Sequence, residues 1–174
     1  DDVCDGVVKK LLFRHPHVFG DGHEDSPEPV LVSWEQLKRR EKGQNTVADS
    51  MDSVARSLPS LWRAEKLQKK AAAAGFEWPD VQGALDKLEE EVAELRRAVE
   101  EDGDVPEELG DVLFAAVKVG RFCACDPEDA VNGTCEKFIR RFRAVENGAA
   151  AQGREVSQLS LEEMTALWNE AKRS

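Results

Sequence analysis

Glu90-Glu91-Val92-Ala93-Glu94 and Glu108-Leu109-Gly110-Asp111 are two short acidic motifs, one closely following the other. Each repeats an acid at a spacing of three, which on a helix puts two carboxylates on one face. Four like charges gathered in this way repel unless something neutralises them, and a hard divalent cation bound through oxygen does so. Donors that include neither His nor Cys select Mg²⁺, with Mn²⁺ as a possible substitute, over zinc. Magnesium keeps waters and binds through few carboxylates plus substrate phosphates. The implied substrate is then a phosphate ester or anhydride, oriented by the metal and attacked by water.

At about 100° per residue, Lys87, Glu91, Glu94 and Ala98 fall within a strip roughly 60° wide beside an apolar stripe, with Glu90 some 100° from Glu91. Glu91 and Glu94 are therefore favoured over Glu90 as paired ligands. On the following helix Glu108, Asp111, Ala115 and Phe122 share a strip, with Lys118 at its edge. Gly110 removes a side chain between the two acids and permits a neighbour to approach. Two antiparallel helices with these strips facing would surround one or two ions with four carboxylates. The competing reading is plain: a Glu-rich helix is usually a solvated face, and Arg96 and Arg97 would pair there for little energy. Two such motifs on adjacent helices, each beside its apolar stripe, favour the metal site.

A basic cluster stands further along. Lys137 and Arg141 are four apart and share a face, which suits a polyphosphate clamp. They equally suit a positive surface helix that balances the acids. Trp168 has two readings as well, a core or docking residue, the commoner use, and a base-stacking residue. Cys4 with His15, His17 and His23 fits no standard zinc spacing, and Pro16 between two of these suggests a helix end.

The elements that must position these groups are helices throughout. Pro59 sits early in a helix that runs to about Ala74 and stops at Gly75. Asp80 caps a helix whose apolar stripe is Leu85, Leu88, Val92, Leu95 and Val99. Asp102-Gly103-Asp104 turns the chain, and Pro106 opens a helix to about Phe122. Asp126-Pro127 starts a long helix reaching about Asn147, and Ser160-Leu161-Glu162-Glu163 is a capping box for the last one. Pro29 to Ser33 is the only weak strand candidate, Trp34 onward looks helical, and Gly20 to Pro29 reads as a loop. The expected fold class is all-α.

Of the net charge of −11 over 174 residues, −9 lies between residues 84 and 111, where twelve acids face three bases. That balance argues against a nucleic-acid scaffold, which is normally basic. No stretch approaches the roughly 18 apolar residues of a membrane span, and the opening residues do not read as a signal peptide. Cys4, Cys123, Cys125 and Cys135 lack a C-x-x-C spacing and read as reduced thiols of a cytoplasmic protein. The chain begins at Asp1 without a methionine and reads as a fragment.

A faint internal repeat divides the chain. Lys10-Leu11-Leu12-Phe13-Arg14 echoes Lys137-Phe138-Ile139-Arg140-Arg141, and Trp34-Glu35-Gln36-Leu37-Lys38 echoes Trp168-Asn169-Glu170-Ala171-Lys172. Residues 1–45 are expected to be the back half of a first unit, inert without its acidic half. Residues 46–57 are expected to be a linker, following the polar stretch Gly43 to Asp52, and 58–174 a complete unit.

Glu-Glu-x-x-Glu followed by Glu-x-x-Asp on neighbouring helices resembles the all-α nucleoside triphosphate pyrophosphohydrolases of the MazG family. Supporting stretches are Arg14-His15-Pro16-His17-Val18-Phe19, Arg63-Ala64-Glu65-Lys66-Leu67-Gln68-Lys69, Gly75-Phe76-Glu77-Trp78, Glu108-Leu109-Gly110-Asp111-Val112-Leu113-Phe114 and Lys137-Phe138-Ile139-Arg140-Arg141-Phe142. The resemblance implies that NTP and water give NMP and pyrophosphate with Mg²⁺, clearing unwanted or damaged nucleotides. By matching positions, Glu91, Glu94, Glu108 and Asp111 would be the metal ligands. Lys137 and Arg141 would hold phosphates, Lys87 would sit close to them, and Trp168 would lie near the nucleotide. Family members resemble tandem units and are generally dimers or tetramers with helices packed between subunits, so a homo-oligomer is expected.

Two positions depart from the family pattern, which usually carries Asn where this chain has Lys118 and Cys135. Lys118 has three readings: it neutralises a carboxylate, competes with metal, or supplies a phosphate contact. Cys135 removes a strong hydrogen-bonding amide. Together they motivate a runner-up function, a weakly active or inactive nucleotide-binding or regulatory module. A purely structural helical oligomerisation module ranks last, because clustered carboxylates without a counter-ion are costly wherever they are partly buried.

Overall fold

The computed structural model describes residues 2–14 and 46–172. His15, His17 and His23, the weak strand candidate at 29–33, the loop at 20–29 and the Trp34 repeat lie outside the described residues. Within them every regular element is a helix, so the all-α expectation holds. No helix among them is long and apolar enough to cross a membrane.

The chain divides into two compact units, Asp1–Val119 and Gly120–Ser174. The first contains α1 (Asp2–Arg14), α2 (Val47–Asp52), α3 (Ser60–Ala73), α4 (Val81–Glu101) and most of α5 (Val105–Phe122). The second contains α6 (Pro127–Ala151), a 3₁₀ turn at Val156–Gln158 and α7 (Leu161–Ala171).

Helix α2 falls inside the polar stretch expected as linker. Thr46 and Asp49 cap it reciprocally: Asp49 N–H donates to Thr46 Oγ1 at 3.0 Å, and Thr46 N–H donates to Asp49 Oδ2 at 2.8 Å. It packs on α3, where Lys70 Nζ donates to the buried Ser50 hydroxyl. A polar composition thus conceals a docked helix, because capping and one buried hydroxyl stabilise it in place of an apolar stripe.

Helix α3 ends as expected, Gly75 taking φ +90° just beyond it. Asp80 accepts from the backbone N–H groups of Gln82 and Gly83 and starts α4. Asp102 at φ 57° and the Gly103 N–H bonded to the Ala98 carbonyl turn the chain out of α4. Asp104 Oδ1 accepts from Glu107 N at 3.1 Å and opens α5, one residue before the expected Pro106. This three-residue connection folds α5 back along α4, and that hairpin positions the acidic motifs.

In the second unit α6 continues to Ala151, past the expected Asn147, because Ala149-Ala150-Ala151 propagates the helix until Gly153 at φ +67°. Gly148 lies inside it for a packing reason: a Cβ there would come within 2.6 Å of a Leu167 methyl on α7. Val145, Ala149 and Leu159 are the buried residues of this contact. The Ser160–Glu163 capping box starts α7, and Arg154 adds a forked ion pair to Glu163 at 2.6 and 3.1 Å.

The apolar stripe of α4 is only partly covered. Leu85, Leu88 and Leu95 are half-buried, but Val92 and Val99 are exposed, as are Leu109, Leu113 and Phe114 on α5. On α6, Val131, Phe138, Ile139 and Phe142 are exposed too.

Candidate active site

Fold-back of α5 along α4 brings three of the expected acids together. One oxygen from each of Glu91, Glu94 and Glu108 lies within 4.8 Å of the others. Glu91 is buried at 7 % exposure, while Glu94 and Glu108 are half-buried. Such spacing suits carboxylates sharing one cation, and it is unfavourable without one. Glu108 registers the strain: its carboxyl is pushed above the ordinary range, first by partial loss of surrounding water and then by the charges of Glu94, Asp111, Glu107 and Glu91. Of the solvated-face and metal-site readings, this geometry favours the second.

Asp111 stands outside that trio. It is exposed and one turn further along α5, in the wall of the same cavity as Glu91. Glu90 is outside the trio as well, as its place on the wheel predicts, and shares Lys87 with Glu91. Lys87 Nζ lies 2.8 Å from an oxygen of each. These bonds, Glu90 first and Glu91 second, hold the ammonium above the usual lysine range. Arg97 pairs with Glu94 at 3.1 Å on the solvent side, a contact that adds little energy.

Beside the trio is a cavity of about 230 Å³ lined by Gln68, Phe76, Trp78, Phe114, Lys87 and Lys118 among others. Trp78 lies across the first turn of α4, where a Cβ at Gly83 would come within 2.3 Å of its ring. Only glycine at that position leaves room for the indole. Lys118 Nζ is 2.9 Å from Glu77 and 5.6 Å from the centre of the Trp78 ring. Burial lowers its ammonium from the usual range. Lys118 thus turns to Glu77 and Trp78 and not to the carboxylates of the trio.

Sequence reasoning assigned no role to Gln68, Phe76, Glu77 or Trp78, although it singled out both stretches that contain them. The signal available was a glutamine on the covered side of an amphipathic helix followed by an aromatic pair around a glycine turn.

Lys137, Arg141 and Trp168 belong to the second unit. The Arg141 guanidinium lies 5.8 Å from the centre of the Trp168 ring, and the Phe138 ring is centred 5.0 Å from it with its plane tilted by 54°. Phe138 also stacks on Phe142. Trp168 is thus half-buried within an aromatic group, as the docking reading expects, with a cation at its face. Lys137 is half-buried on α6, and Cys135 is exposed.

A family model for the MazG nucleotide pyrophosphohydrolase domain matches residues 80–145, which include both acidic motifs and the basic pair. The chain is 41 % identical to the nucleoside triphosphate pyrophosphohydrolase of Escherichia coli (strain K12), over 99 % of this chain and 67 % of that protein. It is 36 % identical to the nucleoside triphosphate pyrophosphohydrolase/pyrophosphatase MazG of Thermotoga maritima, over 99 % of this chain and 65 % of that one. It is also 45 % identical along its whole length to the uncharacterized protein YabN of Bacillus subtilis, of which it spans 36 %. The chain therefore spans about two thirds of the length of the first two relatives.

Proposed function

The chain belongs to the MazG nucleotide pyrophosphohydrolase family, and on that premise we propose that it hydrolyses nucleoside triphosphates to nucleoside monophosphate and pyrophosphate with Mg²⁺. The observation that carries this reading is the convergence of Glu91, Glu94 and Glu108 beside a cavity that also presents Lys87.

The donor set fits the ion. Three carboxylates gathered on two helices, one of them buried and another with its charge disfavoured, form a hard, anionic, all-oxygen site. Glu91, Glu94 and Glu108 would hold the cation, with Asp111 as the fourth ligand from the next turn. Bound there, magnesium supplies charge to offset the phosphates and lowers the pKa of water. Lys87 holds Glu91 in place and offers its one remaining N–H to the triphosphate. Lys137 and Arg141 hold phosphate oxygens, the guanidinium by two parallel N–H groups. Trp168 stands near the nucleotide. Lys118, tied to Glu77, acts on the substrate from the cavity wall.

The exposed apolar residues of α4 and α5 in the first unit, and separately those of α6 in the second, support a homodimer or higher homo-oligomer, since exposed apolar patches mark interaction sites. With this goes a division into a first-unit remnant at 1–45, a joining segment at 46–57 that includes α2, and a catalytic unit at 58–174. The biological role is clearance of unwanted nucleotides from the cytoplasmic pool.

Product analysis across normal and modified NTPs, with and without Mg²⁺, tests the reading. Magnesium-dependent NMP and pyrophosphate are expected, and release of NDP and orthophosphate would contradict the cut.

A further inference from the structure

The cavity beside the acidic trio contains a polar group with nothing to bind. Gln68 is 2 % exposed, and its Nε2 donates to the Phe114 carbonyl at 2.7 Å. A carbonyl oxygen only accepts, so this bond fixes which way round the amide lies. Gln68 Oε1 is left as a buried acceptor without a donor. Buried acceptors are almost always satisfied, and one that is not calls for a reason.

Three aromatic side chains, Phe76, Trp78 and Phe114, stand around the same cavity. Phe76 meets Trp78 edge to face with 6.4 Å between ring centres, and at 70 % exposure it can shift with little packing lost. Water does not reach Gln68 Oε1, so a ligand donor reaches it when the amide or this rim turns. At about 230 Å³ the cavity is smaller than the roughly 300–1,000 Å³ of pockets that enclose whole drug-sized ligands. It suits one planar ring system, with the rest of the molecule outside. Glu91 belongs both to the cavity wall and to the carboxylate trio, so a ring seated here has its attached chain beside the acids.

Resting on the hydrolase reading above, we propose that this cavity is the nucleobase subsite and that Gln68 Oε1 is its specificity-determining acceptor, receiving an N–H from the base edge. The aromatic rings supply stacking, which tolerates any base, and the amide oxygen adds discrimination. Lys118, on the same wall, offers a donor to a carbonyl oxygen or ring nitrogen of the base. The aromatic group around Trp168 has ring faces and a cation but no buried unpaired acceptor among the described residues, so it would grip a base without reading its edge.

Calorimetric titration of the full chain in Mg²⁺ decides it. The ligands are the α,β-methylene analogues of ATP, GTP, CTP and UTP and, as the base-free reference, the α,β-methylene analogue of ribose 5-triphosphate. Wild type is expected to bind at least one base-bearing analogue about tenfold or more tighter than the reference, and Gln68→Met to erase most of that ratio while reference binding stays within about twofold. Should Gln68→Met fail to fold, Trp78→Leu, which removes a stacking face and no hydrogen bond to Gln68, is scored by the same ratio. A wild type with no preference over the reference, a ratio unchanged in the variant, or a ratio lost in Trp168→Ala instead would each overturn the proposal. Pyrophosphate release from natural NTPs is followed separately. Base-dependent binding without release removes the hydrolase reading and leaves the subsite; release indifferent to Gln68 removes the subsite alone.

Discussion

Lys87 Nζ stands 2.8 Å from an oxygen of Glu91, the one buried member of the carboxylate trio. A carboxylate at 7 % exposure needs a charge partner, and one helical turn away the ammonium provides it. The other oxygen of Glu91 is then left for the cation that we propose the trio holds.

Glu108→Gln should remove nearly all pyrophosphohydrolase activity while leaving fold and oligomer size unchanged. Loss of a metal ligand forfeits several kcal/mol of transition-state stabilisation, roughly 10³-fold in rate. Because the Glu108 carboxylate is disfavoured where it stands, the neutral amide should unfold no earlier than wild type in a thermal scan without metal. A variant with full turnover would take Glu108 out of the mechanism.

Magnesium should raise the unfolding temperature. A ligand at 100 times its Kd adds about 2.7 kcal/mol, worth about 5–10 °C in a chain of this size. EDTA should reverse the shift, and Glu91→Gln combined with Glu94→Gln should abolish it. An equal shift in wild type and double variant would place the cation elsewhere.

Lys118→Asn should leave magnesium affinity within about twofold of wild type, because the ammonium is bound to Glu77 and lies over Trp78. Its effect should appear in KM and in base preference. A large change in magnesium affinity would instead support direct competition between Lys118 and the metal.

Glu163 gives a pH signature in the second unit. Arg154 first, and the Ser160 backbone N–H second, hold its pKa at about 2 against an ordinary 4.5. A depressed carboxylate stabilises the fold above its unfolded pKa and loses that contribution as pH falls through the folded one. Stability should therefore decline from about pH 4.5 toward 2. The Glu163→Gln variant should show a shallower decline over that window in acid titration followed by circular dichroism. Parallel curves for the two proteins would remove Glu163 from the acid response.

The convergence of acids at the candidate site was legible in the sequence, for a periodic reason. Acids at i and i+3 share a helical face whatever the helix packs on, so Glu91, Glu94, Glu108 and Asp111 were named alike, and Glu90 set aside, from spacing and resemblance. Caps at Asp80, Asp126 and Ser160 are equally local, since a side-chain oxygen reaches a backbone N–H two or three residues on. Helix α2 escaped because its stabilising contacts are polar and one comes from Lys70 on another helix.

The sequence by itself determined the helical class, the boundaries of the acidic hairpin and the chemistry of its donors, because each depends on residues within a turn or two. Only the tertiary structure decided that Asp111 falls outside the group of three oxygens lying within 4.8 Å, that Lys118 turns to Glu77, and that Gln68 is closed in among aromatic rings with an oxygen unpaired. Those relationships join α3, α4 and α5 and the turn before α4. Distances between separate helices follow from how their surfaces pack, which no local spacing encodes.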